Sequence, residues 1–140
     1  LRNFLVEYPA SENYPRSQSF MKDEASKYRV LIVDDEPLAR ERLRQLLSDL
    51  PDYEISGEAA NGLEALQRVD ADHPDIVLLD IRMPGMDGME AAFHMSSMDQ
   101  PPAIVFTTAY GEHALEAFEA QAVDYLLKPV DPERLAQALR

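Results

Sequence analysis

The chain has 140 residues, 46% of them apolar, with no Cys and no Trp, which suits one ordinary domain with a single buried core. No apolar run approaches the ~20 residues of a membrane span, no charged-then-apolar start resembles a signal peptide, and the lack of Cys removes disulfides, thiolate zinc sites and Cys nucleophiles; a soluble cytoplasmic protein is expected. Thirteen basic against 26 acidic side chains leave a net charge of −13, and because residues 1–27 carry four of each, all of the excess lies in 28–140. So acidic a domain repels phosphate backbones and is expected not to bind nucleic acid by itself, although a divalent cation would suit it. Many of these charges do no more than solvate the surface.

Residues 1–27 carry Pro9, Pro15 and scattered Ser, Asn and Glu without sustained periodicity, and read as an extended arm or a leader added to the domain. Met21 would serve as a natural start, and Phe4, Tyr8, Tyr14 and Phe20 could dock on a neighbour. From Tyr28 the pattern changes. Apolar runs at 29–33 (RVLIV), 75–79 (DIVLL), 103–107 (AIVFT) and 123–127 (VDYLL), with a weaker one at 54–58 (EISGE), have the continuous Val/Ile/Leu character of parallel strands covered on both faces.

Helical patterns fill the intervals. The first takes Pro37 in its opening turn and repeats apolar residues at Ala39, Leu43, Leu46, Leu47 and Leu50. The second follows Asn61-Gly62 and sets Leu63, Leu66 and Val69 on one face; the third runs through Met89, Ala92 and Phe93. A fourth passes through Ala114, Leu115 and Phe118, and a fifth opens on Asp131-Pro132 and continues to Leu135 and Leu139. Five strand–helix units predict a doubly wound, flavodoxin-like α/β fold. The second and fifth strands, being the least apolar, are expected at the edges, and right-handed crossovers then favour the order 2-1-3-4-5. The chain stops at Arg140, near or inside the fifth helix, so a further C-terminal domain is expected to be missing from it.

In such sheets ligands bind beyond the carboxyl ends of the strands, where the strand order reverses. Strand one ends in Asp34-Asp35-Glu36, strand three in Asp80, strand four in Thr107-Thr108 and strand five in Lys128-Pro129. Three carboxylates would converge there beside a hydroxyl and an ammonium. Two carboxylates ~4 Å apart repel by about 1 kcal/mol in water and ~4 kcal/mol at an effective dielectric of 20. A proton, a cation or a positive side chain relieves this, and Mg²⁺, which takes one or two carboxylates plus water and phosphate oxygens, suits the set best. The plainer account has Asp35 capping the first helix and Asp80 paired with Lys128.

VLIVDDEP, DIVLLDIRMPGMDG, FTTA and DYLLKP, in this order and spacing over residues 28–140, resemble the signature set of two-component response-regulator receiver domains. TAYGEHALEAFEAQAVDYLLKPV is similar to receivers of the LytTR class (LytR/AlgR-like), which usually carry a C-terminal DNA-binding domain. The resemblance implies that Asp80 accepts a phosphoryl group from a sensor histidine kinase. It implies Mg²⁺ (or Mn²⁺) held by Asp35, by Asp34 through water, by Asp80 and by the backbone carbonyl of Arg82. Thr108 would bond one phosphoryl oxygen and Lys128 another, Tyr125 would be the aromatic switch, and the Lys128-Pro129 bond would be cis. Homodimerisation on phosphorylation, through the face of helix four, strand five and helix five, is expected. Arg82 and Tyr110 occupy positions that tune phosphate lifetime in this family, and slow self-dephosphorylation is expected.

Other features have plainer readings. His73, His94 and His113 lack metal spacing; Met83, Met86 and Met89 read as soft filler behind Asp80; Arg40, Arg42 and Arg44 read as a solvated basic face or a kinase docking surface. Among rivals, a haloacid-dehalogenase-type Mg²⁺ phosphohydrolase needs a second Asp where Arg82 stands. A nucleotide or flavin module needs a glycine-rich turn where Asp-Asp-Glu-Pro stands. A pseudo-receiver that keeps the fold without the chemistry would lack a reason to keep Asp34, Asp35, Asp80, Thr108 and Lys128.

Overall fold

The computed structural model describes residues 26–109 and 124–139. The leader, apart from its last two residues, the helix expected through Ala114, Leu115 and Phe118, and with it Tyr110 and His113, lie outside the described residues. Five strands form: β1 (Tyr28–Val33), β2 (Tyr53–Ala59), β3 (Ile76–Asp80), β4 (Ala103–Thr108) and β5 (Asp124–Leu127). All pair in parallel, in the order β2-β1-β3-β4-β5, as the apolarity of the runs predicts. The helices are α1 (Pro37–Ser48), α2 (Gly62–Asp72), α3 (Gly88–Ser96) and α4 (Pro132–Leu139).

Strand alternation sends successive side chains to opposite faces, so each strand feeds two cores. Val30, Ile32, Leu78, Val105 and Leu126 meet Leu43 and Leu47 of α1 and Leu135 of α4 on one face. Leu31, Val33, Val77, Leu79 and Phe106 meet Ala65 and Val69 of α2 and Ala92 and Met95 of α3 on the other. Each fully buried Leu, Val or Phe side chain contributes about 1.5–3 kcal/mol of hydrophobic stabilisation.

The helix starts follow local chemistry. Asn61 Oδ1 accepts from the Glu64 N–H at 2.8 Å and Asp87 Oδ1 from the Glu90 N–H at 2.9 Å. Asp131 Oδ2 accepts from the N–H groups of Glu133 and Arg134 at 3.1 Å, the cap expected of Asp131-Pro132. Two expected core residues face outward instead. Leu63 is 59% exposed and Phe93 70%. Small residues take their place, because Gly62 lies so close to the loop after β3 that a Cβ there would sit 2.6 Å from the Met86 carbonyl oxygen. Hydrophobic spacing alone does not reveal so close an approach. Met83 is buried and Met86 and Met89 are partly buried against the same core, the filler role expected of them.

Candidate functional site

The carboxyl ends of β1, β3, β4 and β5 meet in one place. Asp34 continues the strand face of Val30 and Ile32, Asp80 that of Leu78, and Lys128 that of Leu126, so alternation aims all three to the same side of the sheet. One carboxylate oxygen each from Asp34, Asp35 and Asp80 lie within 4.8 Å of one another. Asp34 is completely buried and Asp80 is 4% exposed. Lys128 Nζ stands 2.8 Å from Asp34 Oδ2 and 3.3 Å from Asp80 Oδ1. One ammonium therefore serves two of three clustered acids, leaving a local excess of negative charge.

Backbone bonds fix these groups. The Asp34 N–H donates to the Ala59 carbonyl at 3.1 Å, the Ile81 N–H to the Thr107 carbonyl at 3.2 Å, and the Lys128 N–H to the Thr108 carbonyl at 2.7 Å. Asp34 Oδ1 accepts from the Glu36 N–H at 2.9 Å. The Lys128-Pro129 bond is cis, as the family resemblance implies. The plainer account of the acids holds only in part: Asp80 does pair with Lys128, whereas Glu36, not Asp35, occupies the N-cap of α1 and makes no side-chain cap bond. Asp35 is left to the carboxylate cluster.

Burial, with the nearby Asp34 carboxylate, pushes the Asp80 carboxyl up to about 6, against the pull of Lys128; Asp35 adds a smaller push in the same upward direction. Burial also works against the Lys128 ammonium, but its bonds and attraction to Asp34 and Asp80 outweigh that and hold it above the ordinary lysine value. A carboxylate with a raised pKa beside a fixed cation has the electrostatics of a reactive site. The donor set fits a hard divalent ion: carboxylate oxygens only, converging from separate segments, with more charge than one lysine offsets. Arg82 lies exposed in the loop that follows β3, where its backbone carbonyl is the remaining ligand the resemblance implies.

Thr108 is 1% exposed and lies one residue beyond Thr107, the register partner of Asp80. It continues the strand face of Phe106, on which partly buried Tyr125 also packs. Thr108 and Tyr125, to which the resemblance gives the phosphoryl bond and the switch, thus lie on one side of the sheet. The neighbouring Thr107 hydroxyl is buried and has no hydrogen-bond partner among the described residues.

Gly88, the last residue of DIVLLDIRMPGMDG but given no role there, sets the course of the chain behind Asp80. Its N–H donates to the Ile81 carbonyl at 2.8 Å, and a Cβ added there would lie 2.1 Å from the Asp80 carbonyl oxygen and 2.8 Å from Ile81 Cα. Backbone must move to admit a methyl group. Gly88→Ala is expected to lower stability by about 3 kcal/mol, measured by urea unfolding; a loss within error of zero would show that the loop yields freely. The arginines of α1 are also more engaged than a solvated face requires. Arg40 reaches the Asp34 carbonyl and Glu58, Arg44 reaches Glu58, and Arg42 donates to the Val130 carbonyl at 3.0 Å.

Residues 30–140 match the family model of the response regulator receiver domain. The chain belongs to this family. The receiver is 56% identical over 112 residues to the positive alginate biosynthesis regulatory protein of Pseudomonas aeruginosa, covering 79% of this chain and 45% of that protein. It is 49% identical over 112 residues to the sensory transduction protein LytT of Bacillus cereus, covering 80% of this chain and 46% of that protein. These relatives are of the LytTR type, and the receiver spans less than half of their length. Among solved structures, it is similar to the response regulatory domain of mrkE from Klebsiella pneumoniae, with TM-score 0.73, 40% identity and coverage of 79% of this chain and 91% of that one. It is also similar to a chain of the CheX-CheY-BeF3-Mg²⁺ complex of Borrelia burgdorferi, with TM-score 0.74, 28% identity and coverage of 80% and 86%. The receiver is thus a module of two-component signalling. No helix among its described residues is long and apolar enough to cross a membrane.

Proposed function

We propose that this receiver takes a phosphoryl group from a phosphohistidine of a sensor histidine kinase onto Asp80, and so controls a downstream, DNA-binding effector. The observation that carries the reading is the convergence of the Asp34, Asp35 and Asp80 carboxylates within 4.8 Å, with Lys128 in contact with two of them. Asp34, Asp35, Asp80 and the Arg82 carbonyl would hold Mg²⁺ or Mn²⁺. Such an ion, when bound, neutralises charge on phosphoryl oxygens. The solved BeF3 and Mg²⁺ complex of a similar fold supports both parts of this assignment.

In the transfer, an Asp80 carboxylate oxygen forms the new bond to phosphorus as the phosphorus–nitrogen bond to the kinase imidazole breaks. The product is an acyl phosphate, and the imidazole leaves with the electron pair. Catalysis of such a step is mostly positioning and charge neutralisation. Lys128 Nζ, already 3.3 Å from Asp80 Oδ1, lies where it can pair with an incoming oxygen. Thr108 donates its hydroxyl to another.

Drawing Thr108 toward the phosphoryl group opens space on its side of the sheet, into which Tyr125 turns. The surface made by β5 and α4 changes with it. This is a two-state element biased by a local charge. The reading includes a homodimer through that surface in the phosphorylated state, slow loss of the phosphoryl group, a cytoplasmic location and no direct contact of this domain with nucleic acid.

The test is incubation with a small-molecule phosphodonor and Mg²⁺, followed by intact mass. The expected result is a gain of one phosphoryl mass that Asp80→Asn abolishes and EDTA suppresses. Inertness of the wild type would make the domain a pseudo-receiver, and steady turnover of a phosphomonoester would make it a hydrolase.

A further inference from the structure

Arg40 of α1 has two partners at once. Its Nη1 donates to the Asp34 backbone carbonyl at 2.6 Å, and its Nε donates to Glu58 Oε1 of β2 at 3.2 Å. Glu58 is itself held by Arg44, one turn further along α1. The Arg40 side chain is 20% exposed, so the planar guanidinium is partly sheltered where it bridges β2 to the turn that bears the acidic pair. The carbonyl it grips belongs to the residue whose buried carboxylate also bonds the Glu36 N–H and Lys128.

We propose that Arg40 is a positioning residue for the divalent cation. Anchored on Glu58, it holds the Asp34 main chain so that the Asp34 and Asp35 carboxylates stand against Asp80. The proposal rests on the phosphoacceptor reading above and adds a residue that the motif set does not contain.

Its electrostatics make the proposal decidable. By charge alone a guanidinium close to the acids repels a cation, so removing it should tighten Mg²⁺ binding. By position its removal frees the Asp34 turn and should weaken binding. The two effects have opposite signs. Groups that orient metal ligands typically change affinity by about 10–100-fold when removed, whereas partly exposed ion pairs such as Arg40–Glu58 contribute little to stability.

The experiment is calorimetric titration of the protein with Mg²⁺ alone, without a phosphodonor, on wild type, Arg40→Gln, Arg40→Lys and Arg44→Gln, with thermal melts of each. Arg40→Gln is expected to bind Mg²⁺ about tenfold more weakly at nearly unchanged melting temperature. Arg40→Lys keeps the charge but not the two-point grip of a planar fork, and is expected to stay weaker than wild type. Arg44→Gln removes the same charge from the same glutamate without touching Asp34, and its affinity is expected to stay within about twofold of wild type. Hydrogen exchange of the Glu36 amide in metal-free protein gives a second readout, expected to quicken in both Arg40 variants. Unchanged or tighter Mg²⁺ binding by Arg40→Gln overturns the proposal, as does an equal loss in Arg44→Gln. If Arg40→Gln does not fold, Arg40→Lys decides by the same criterion. A wild type that binds no Mg²⁺ overturns the metal assignment and this proposal with it, an outcome distinct from the other two.

Discussion

Replacing Asp80 by Asn is expected to make the metal-free protein more stable at neutral pH, by about 2 kcal/mol, even as it removes the proposed phosphoacceptor. Burial and the Asp34 carboxylate raise the Asp80 pKa from 3.8 to about 6. The folded state therefore binds this proton more tightly than the unfolded state does. Below pH ~4 the carboxyl is neutral in both states, and its contribution to stability is fully present. Between pH ~4 and ~6 the unfolded chain releases the proton first, so stability falls as pH rises. Above pH ~6 the loss is complete, at about 1.4 kcal/mol per pKa unit. Asn removes most of that loss, in which the pull of Lys128 on Asp80 is already counted. Lys128 keeps its shorter contact with Asp34, 2.8 Å against 3.3 Å, so its ammonium stays paired in the variant. Thermal melts in EDTA should show Asp80→Asn melting higher than wild type by roughly 8 °C at pH 7.5, with the gap closing near pH 4. A variant that melts lower at pH 7.5 would mean that Lys128 already compensates the acids.

Lys128→Met is expected to have the opposite effect, and a larger one. It strips the fully buried Asp34 carboxylate of its cation and takes from Asp80 the charge that holds its pKa down. Removing one partner of a buried pair costs about 3–5 kcal/mol. The Lys128 side chain is 23% exposed, which places this case near the lower end, at about 3 kcal/mol. Phosphoryl uptake should fall more than about tenfold at pH 7, because a carboxyl with a pKa above 6 is less often ionised and the incoming oxygens lose their ammonium. The double variant Lys128→Met/Asp80→Asn should recover much of the stability lost in Lys128→Met, since the two residues share one electrostatic account. Urea unfolding of the four proteins closes the cycle. The gain from Asp80→Asn should be larger in the Lys128→Met background than in wild type; an equal gain in both would show that Lys128 acts on Asp34 alone.

Much of this site was legible without coordinates. The runs RVLIV and DIVLL carry enough Val, Ile and Leu to declare buried parallel strands, and the acids that end them can only stand at one edge of the sheet. The weak second run and the short fifth one lie at the edges, as their lower apolarity requires. Less legible were features set by close approach. Phe93 and Leu63 share helical spacing with core residues, yet Ala91, Ala92 and Gly62 are the ones turned inward. Gly88 and Arg40 escaped for a related reason. One acts through a carbonyl 2.1 Å from a side chain it lacks, the other through the Asp34 carbonyl and through Glu58, eighteen residues further along the chain than Arg40 itself. Main-chain acceptors leave no trace in the identity of the residue that owns them.

The pairing of β1 with β2 slips between Val30 and Leu31, so that Ser56 is passed over and Gly57 takes its turn opposite Leu31. The Ser56 hydroxyl is buried there without a hydrogen-bond partner among the described residues. Such a bulge bends an outer strand and spoils the flat row of amides on which a foreign strand could stack. Glu54 of β2 adds negative charge along the same rim, whereas Glu58 is taken up by Arg40 and Arg44. At the far rim β5 is only four residues long. A sheet so apolar inside is thereby kept from growing by lateral recruitment, and concentrated solutions of the domain should stay free of fibrils.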